Sequence, residues 1–257
     1  MLGWPVAHSR SPQMQNAALE ALGLSSWRYQ LLPVPPELLA ETVRALPAAG
    51  FRGVNVTIPH KEAALALASE PAQRARAIGA ANVLTFAQDG TIGADNTDAP
   101  ALIDSLPFEL SGKTALVLGA GGSARAAVWA LIDAGAGVRV WNRTPDRARQ
   151  LCAELGGIPV AAADPANLLV NCTSVGLEQG ESEFKQLPLA ADDLGGYDCV
   201  VDLVYGDADT PLVRAARARS LPVVDGLELL VRQGALSFEL FTGREAPLEV
   251  MRAAVRR

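Results

Sequence analysis

Histidine and lysine are nearly missing from this chain of 257 residues: the only histidines are His8 and His60, and the only lysines Lys61, Lys113 and Lys185. Two histidines cannot build a histidine-rich metal site. The three cysteines, Cys152, Cys172 and Cys199, stand too far apart for the paired ligands of a structural zinc, and their odd, low number fits a reducing, cytoplasmic setting. The chain does not open on a basic stretch followed by an apolar one, and the apolar section after Lys113 is broken by Arg125 and Asp133, so neither a signal peptide nor a membrane span is expected. A net charge of −6 with no basic cluster argues against a nucleic-acid partner. Internal repeats and low-complexity tracts are also missing, apart from a general enrichment in alanine.

What is present describes a globular chain with an ample core. Hydrophobic residues make up 49% and charged residues 19% of it, with mean hydropathy +0.18. Its length lies between one and two domains of about 150 residues. The first hundred residues alternate helices and strands: a helix over about 12–22, a strand over 27–34, a helix over 35–46, a strand over 53–57, helices after Pro59 and Pro71, and a hairpin turning at Asp89-Gly90. From Ser111 onward, short apolar runs such as Ala115 to Leu118 and Val200 to Val204 alternate with helical stretches, the pattern of parallel strands covered on both faces. The last thirty residues read as helices that return to the first part.

One turn carries recognisable chemistry. After the strand Ala115 to Leu118 comes Gly119-Ala120-Gly121-Gly122-Ser123-Ala124, the GxGxxA pattern between a strand and a helix. Gly119 permits the turn, Gly121 lets backbone approach a pyrophosphate, and Ala124 leaves room for helix against strand. About twenty residues on, where an NAD site carries an acid, the chain reads Trp141-Asn142-Arg143-Thr144. Arg143, with Arg147 one helical turn further, offers planar donors to a 2′-phosphate, so NADP is the expected cofactor. Thr144-Pro145 also reads as a helix cap and first turn.

Three stretches of the first part complete the picture: Gly3-Trp4-Pro5-Val6-Ala7-His8-Ser9-Arg10-Ser11-Pro12, Asn55-Val56-Thr57-Ile58-Pro59-His60-Lys61, and Gly93-Ala94-Asp95-Asn96-Thr97-Asp98. Together with the glycine turn, Asn171-Cys172-Thr173-Ser174, Asp202-Leu203-Val204-Tyr205 and Gly226 to Gln233, they resemble the shikimate/quinate dehydrogenase family over essentially the whole chain. The resemblance implies an α/β protein: a substrate-binding domain with a mostly parallel sheet over residues 1–100, completed by 228–257, and a Rossmann NADP-binding domain over 101–227. It implies NADPH-dependent reduction of 3-dehydroshikimate to shikimate, on the route to chorismate and the aromatic amino acids, by a monomer or homodimer. Lys61 and Asp98 match the catalytic pair. Ser9 and Ser11 match ligands of the substrate carboxylate, and Thr57, Asn82, Gln233 and Tyr205 match residues around the ring. For the cofactor the matched positions are Gly119, Ala120, Gly121, Gly122, Ser123, Asn142, Arg143, Thr144, Arg147, Leu203 and Gly226.

The chain departs from the family in places. Gln15 stands where a histidine is usual, Val83 where a threonine is, and Leu203 where methionine is frequent; only Met1-Leu2 precede the Gly-x-Pro turn, where a full first strand is usual. Ketone reduction needs a proton donor beside the carbonyl oxygen, and lysine serves when burial or a helix N-terminus lowers its pKa. Lys61 follows Ile58-Pro59, a helix start, with Asp98 expected to orient it. His8 is read as structuring the serine loop and His60 as facing away from the chemistry. Two other readings compete: a quinate or dual quinate/shikimate dehydrogenase, and a non-catalytic sensor of a ring acid and nucleotide.

Overall fold

The structure, a computed structural model, describes residues 1–177 and 183–256. The chain divides into two compact units, Met1–Ala101 with Leu230–Arg257 and Leu102–Leu229.

In the first unit the elements run β1 (Leu2–Gly3), α1 (Ser11–Ala21), β2 (Leu32–Pro33), α2 (Leu39–Ala45), β3 (Gly53–Asn55), α3 (Lys61–Leu65), β4 (Glu70–Pro71), α4 (Gln73–Ile78), β5 (Val83–Phe86) and β6 (Ile92–Asp95), then α5 (Asp98–Ser105). β1 and β2 pair in parallel, Leu2 bridges Val56 in parallel, and β3-β5-β6-β4 form a sheet in which β4–β6 is parallel and the β5–β6 hairpin antiparallel. The hairpin turns at Gly90 (φ +89°), a left-handed conformation glycine adopts without strain, with Asp89 accepting from the Thr91 amide at 2.9 Å. The core gathers Leu2, Val43, Val54, Val56, Ala64 and Leu84.

The strand expected over 27–34 is paired only at Leu32–Pro33. Side-chain chemistry accounts for the rest: Asn16 of α1 accepts from the Tyr29 amide at 2.8 Å and donates to its carbonyl at 2.9 Å, satisfying the backbone as a neighbouring strand would.

The second unit holds β7 (Thr114–Leu118), α6 (Gly122–Asp133), β8 (Gly137–Trp141), α7 (Pro145–Leu155), β9 (Ile158–Pro159), β10 (Leu168–Asn171), β11 (Cys199–Asp202), α8 (Pro211–Ala218) and β12 (Val223–Val224), and α9 (Gly226–Thr242) starts here. All strands are parallel in the order β12-β11-β10-β7-β8-β9. The continuous apolar runs follow from burial on both faces. Ala115 and Val117 of β7 face one core with α6 and α7, while Leu116 and Leu118 face a second with α8; Leu168 and Val170 against Leu169 in β10 repeat the division. The order reverses between β7 and β10, which opens a crevice at their carboxyl ends. α9 continues into the first unit, followed by α10 (Leu248–Val255), which packs on α1. None of the described helices is long and apolar enough to cross a membrane.

Candidate active site

Lys61 opens α3, with the turn before it closed by His60 N–H donating to the Thr57 carbonyl at 2.9 Å. Its Nζ donates to Asp98 Oδ2 at 2.7 Å, and the two side chains are only 10% and 18% exposed, so the ion pair is partly withdrawn from water. Asp98 opens α5, where Asn96 Oδ1 caps the helix by accepting from the amides of Asp98 and Ala99 at 3.1 and 3.3 Å. Asn82 Nδ2 donates to Asp98 Oδ1 at 2.8 Å, and Gln233 Oε1 lies 3.5 Å from the same nitrogen. Four of the residues singled out in the sequence, from four separated segments, thus meet around one carboxylate.

The serine loop forms its own pair: Ser9 Oγ donates to Ser11 Oγ at 3.1 Å, and Ser11 N–H donates back to Ser9 Oγ at 3.3 Å. Thr57 is tied to the Gly-x-Pro turn. Its N–H donates to the Leu2 carbonyl at 2.9 Å, and a Cβ on Gly3 would stand 2.4 Å from Thr57 Cγ2, so only glycine lets the two motifs touch. Gln15 donates to the Gly234 carbonyl at 2.9 Å, where it holds α1 to α9. Val83 is fully buried in β5. His60 is buried with Nε2 2.8 Å from the Val34 carbonyl, whereas His8 is exposed.

In the second unit Gly119, at φ +112°, ends β7; a Cβ there would lie 3.1 Å from the Cys172 carbonyl across the crevice. Gly121 caps α6, is exposed and has open space where a Cβ would point, leaving its backbone approachable. Ala124 is fully buried against the sheet. Arg143 and Arg147 are exposed and make no ion pair among the described residues, while Asp146 between them is taken up by Arg149. Asn142 Nδ2 donates to the Thr144 carbonyl at 2.9 Å, bracing the loop that carries these arginines. Thr144 occupies the cap position of α7, but its side chain makes no capping bond. Leu203 and Tyr205 are half-buried, and Gly226 is forced by a close approach: a Cβ would meet the Val204 and Leu203 carbonyl oxygens at 2.5 and 2.9 Å.

Three buried polar residues of the first unit had no role in the sequence reading, although two lie inside its motifs. Asn55, Thr97 and Ser237 form hydrogen bonds that lead to Asn82. The signal available was a polar side chain at a position where the strand or helix pattern demands burial.

An acid-base pair among polar side chains in one unit, and in the other a parallel sheet with a glycine-led turn after one strand and exposed arginines after the next, define an α/β oxidoreductase built on a dinucleotide-binding fold. Comparison with known proteins narrows the class. Residues 1–84 match the shikimate dehydrogenase substrate binding domain, 102–173 match shikimate/quinate 5-dehydrogenase, and 226–256 match the shikimate 5-dehydrogenase C-terminal domain. The chain is 47% identical to the NADP(+) shikimate dehydrogenase of Anaeromyxobacter sp. strain Fw109-5, over 99% of this chain and 94% of that one, and 44% identical to that of Paracoccus denitrificans, over 97% and 92%. The crystal structure of Thermus thermophilus shikimate 5-dehydrogenase with NADP(H) and shikimate superposes with a TM-score of 0.88 at 43% identity, covering 100% of this chain and 97% of that one. A 5-ketofructose reductase of Gluconobacter shares the fold at 29% identity and a TM-score of 0.82, covering 99% and 95%. The chain belongs to the shikimate dehydrogenase family.

Proposed function

We propose that the protein catalyses the reversible, NADPH-dependent reduction of 3-dehydroshikimate to shikimate, a step of aromatic amino acid biosynthesis. The first unit takes the substrate and the second the cofactor. The observation that carries this reading is the Lys61–Asp98 pair at 2.7 Å with Asn82 on the second carboxylate oxygen. It supplies a proton donor, a counter-charge and an amide side by side, the groups a ring alcohol and its ketone require.

The second unit fits a dinucleotide phosphate on its own chemistry. The open backbone at Gly121, at the N-terminus of α6, suits a pyrophosphate, and Arg143 and Arg147, exposed and without ion pairs among the described residues, suit a 2′-phosphate. When bound, NADPH supplies the hydride delivered to the carbonyl carbon. Lys61 Nζ donates the proton to the oxygen that becomes the hydroxyl, and in the reverse direction the same nitrogen removes it. Asp98 holds the ammonium in place and accepts from a ring hydroxyl. Thr57 and Gln233 orient the ring, Ser9 and Ser11 offer hydroxyls to its carboxylate, and Leu203 and Tyr205 lie at the crevice end of the second unit.

Following absorbance at the nicotinamide band with shikimate and with quinate, each with NADP+ and NAD+, tests the reading. Turnover chiefly of shikimate with NADP+ is expected. Comparable turnover of quinate would move the assignment to a dual enzyme, and binding without turnover would move it to a sensor.

A further inference from the structure

Asn82 belongs to the proposed substrate site, and its amide is already committed inside the protein. Oδ1 accepts from the Thr97 backbone N–H at 2.7 Å, which settles the orientation of the amide; the two Nδ2 hydrogens go to Asp98 Oδ1 at 2.8 Å and Thr97 Oγ1 at 2.9 Å. Thr97 has a single hydroxyl hydrogen and two acceptors within reach, Ser237 Oγ at 3.1 Å and Asn82 Oδ1 at 3.3 Å. Ser237 also has one hydrogen, and it is given to the Gln233 carbonyl at 2.8 Å; its oxygen meanwhile accepts from Asn55 Nδ2 at 2.8 Å. Ser237 therefore meets Thr97 as an acceptor. That draws the Thr97 hydrogen away from Asn82 and turns a Thr97 lone pair toward Asn82 Nδ2. The Tyr29 hydroxyl donates to Asn55 Oδ1 at 2.7 Å, which keeps the Asn55 NH2 aimed at Ser237. Asn55, Asn82, Thr97 and Ser237 are all 2% exposed or less, so water does not substitute for a lost partner.

We propose that Ser237, aimed by Asn55, is a positioning residue of the substrate site: through Thr97 it locks the Asn82 amide so that Nδ2 faces Asp98. The inference rests on the reading that Lys61, Asp98 and Asn82 receive the ring alcohol. Without the Ser237 hydroxyl, the Thr97 hydrogen turns to Asn82 Oδ1 and its lone pair leaves Nδ2, so the amide is held only by the Thr97 N–H and Asp98.

Ser237→Ala in the full chain tests this with two readouts. In the ligand-free protein, the Asn82 side-chain NH2 protons should exchange with solvent roughly tenfold faster in the variant by NMR; unchanged exchange overturns the lock. In kinetics, kcat/KM for shikimate should fall about tenfold with KM for NADP+ unchanged, and the substitution should add nothing in an Asn82→Ser background. Independent, multiplying losses overturn the route through Asn82. Circular dichroism and melting temperature certify that each variant is folded. If the unmodified protein does not turn over shikimate, the proposed function fails, while amide exchange still decides whether Ser237 holds Asn82.

Discussion

Each unit withdraws an aspartate from water, and the two are held in opposite ways. Asp98 is paired with a cation, Lys61, at 2.7 Å, and keeps its second oxygen on a side-chain amide. Asp202, at the end of β11, is fully buried and bonded only by neutral donors in the residues described around it: Asn171 Nδ2 at 2.9 Å, Val204 N–H at 3.1 Å and Thr210 Oγ1 at 2.5 Å. Burial outweighs these bonds and pushes the Asp202 carboxyl from 3.8 up to about 6. Asp98 is placed beside a cation that chemistry can use, whereas Asp202, among neutral groups, becomes a knot that ties β10, β11 and α8 together.

The sharpest way to break this comparison is to remove the cation. Lys61→Ala should lower kcat by ~10²–10⁴, the contribution of a general acid, with a much smaller change in KM. A folded variant with near-normal kcat would make Asp98 a structural group like Asp202. Two cations of the second unit differ again, since Arg143 and Arg147 are exposed and without ion pairs among the described residues. Arg143→Ala should weaken NADPH binding by roughly 1.5–3 kcal/mol, the worth of a hydrogen bond to a charged group, and leave NADH nearly unaffected. Fluorescence titration with both cofactors checks this, and an equal loss for the two would detach Arg143 from the 2′-phosphate.

Asp202 gives the comparison a pH signature. Between about pH 4 and 6 the unfolded chain has released this proton while the native chain keeps it, so the native state binds more protons and stability falls as pH rises through the window. Below it the contribution is whole, and above about 6 it is lost. Asp202→Asn removes that dependence, so its stability relative to the unmodified protein should improve from about pH 4 to about pH 6.5 in urea unfolding. Parallel stabilities at every pH would mean that Asp202 does not titrate in this range.

The second unit was the more legible of the two because its chemistry is local. Gly119 to Ala124 and Asn142 to Arg147 are contiguous, and Gly119, at φ +112°, declares a backbone need that other residues rarely meet. In the first unit, Lys61, Asp98, Asn82 and Gln233 belong to four segments, and nothing in their spacing says that they meet; only the family motifs placed them in one list. Pairing geometry was less visible still. Residues 27–31 alternate like a strand, yet the side chain of Asn16 takes the backbone of Tyr29, a choice made by the helix upstream. Ser237 escaped for a similar reason: a serine in an apolar helix looks like tolerated polarity until the hydrogens of Thr97 and Asn55 are traced to it.

The same limit appears at two identical sequence signals in the second unit, and yields the smallest effect expected. Thr144-Pro145 reads as a helix cap followed by a first-turn proline, and the same two residues, Thr210-Pro211, open α8. Thr210 Oγ1 does accept from the Val213 amide at 3.2 Å and donates to Asp202, whereas the Thr144 side chain makes no capping bond. Thr210→Ala should therefore cost about 1–3 kcal/mol, a lost cap plus an unpaired buried acceptor. Thr144→Ala should stay within about 0.5 kcal/mol, since it removes an exposed hydroxyl that satisfies no helix amide. Urea midpoints of the two variants decide it: equal losses would mean that the Asp202 knot adds nothing beyond an ordinary helix start.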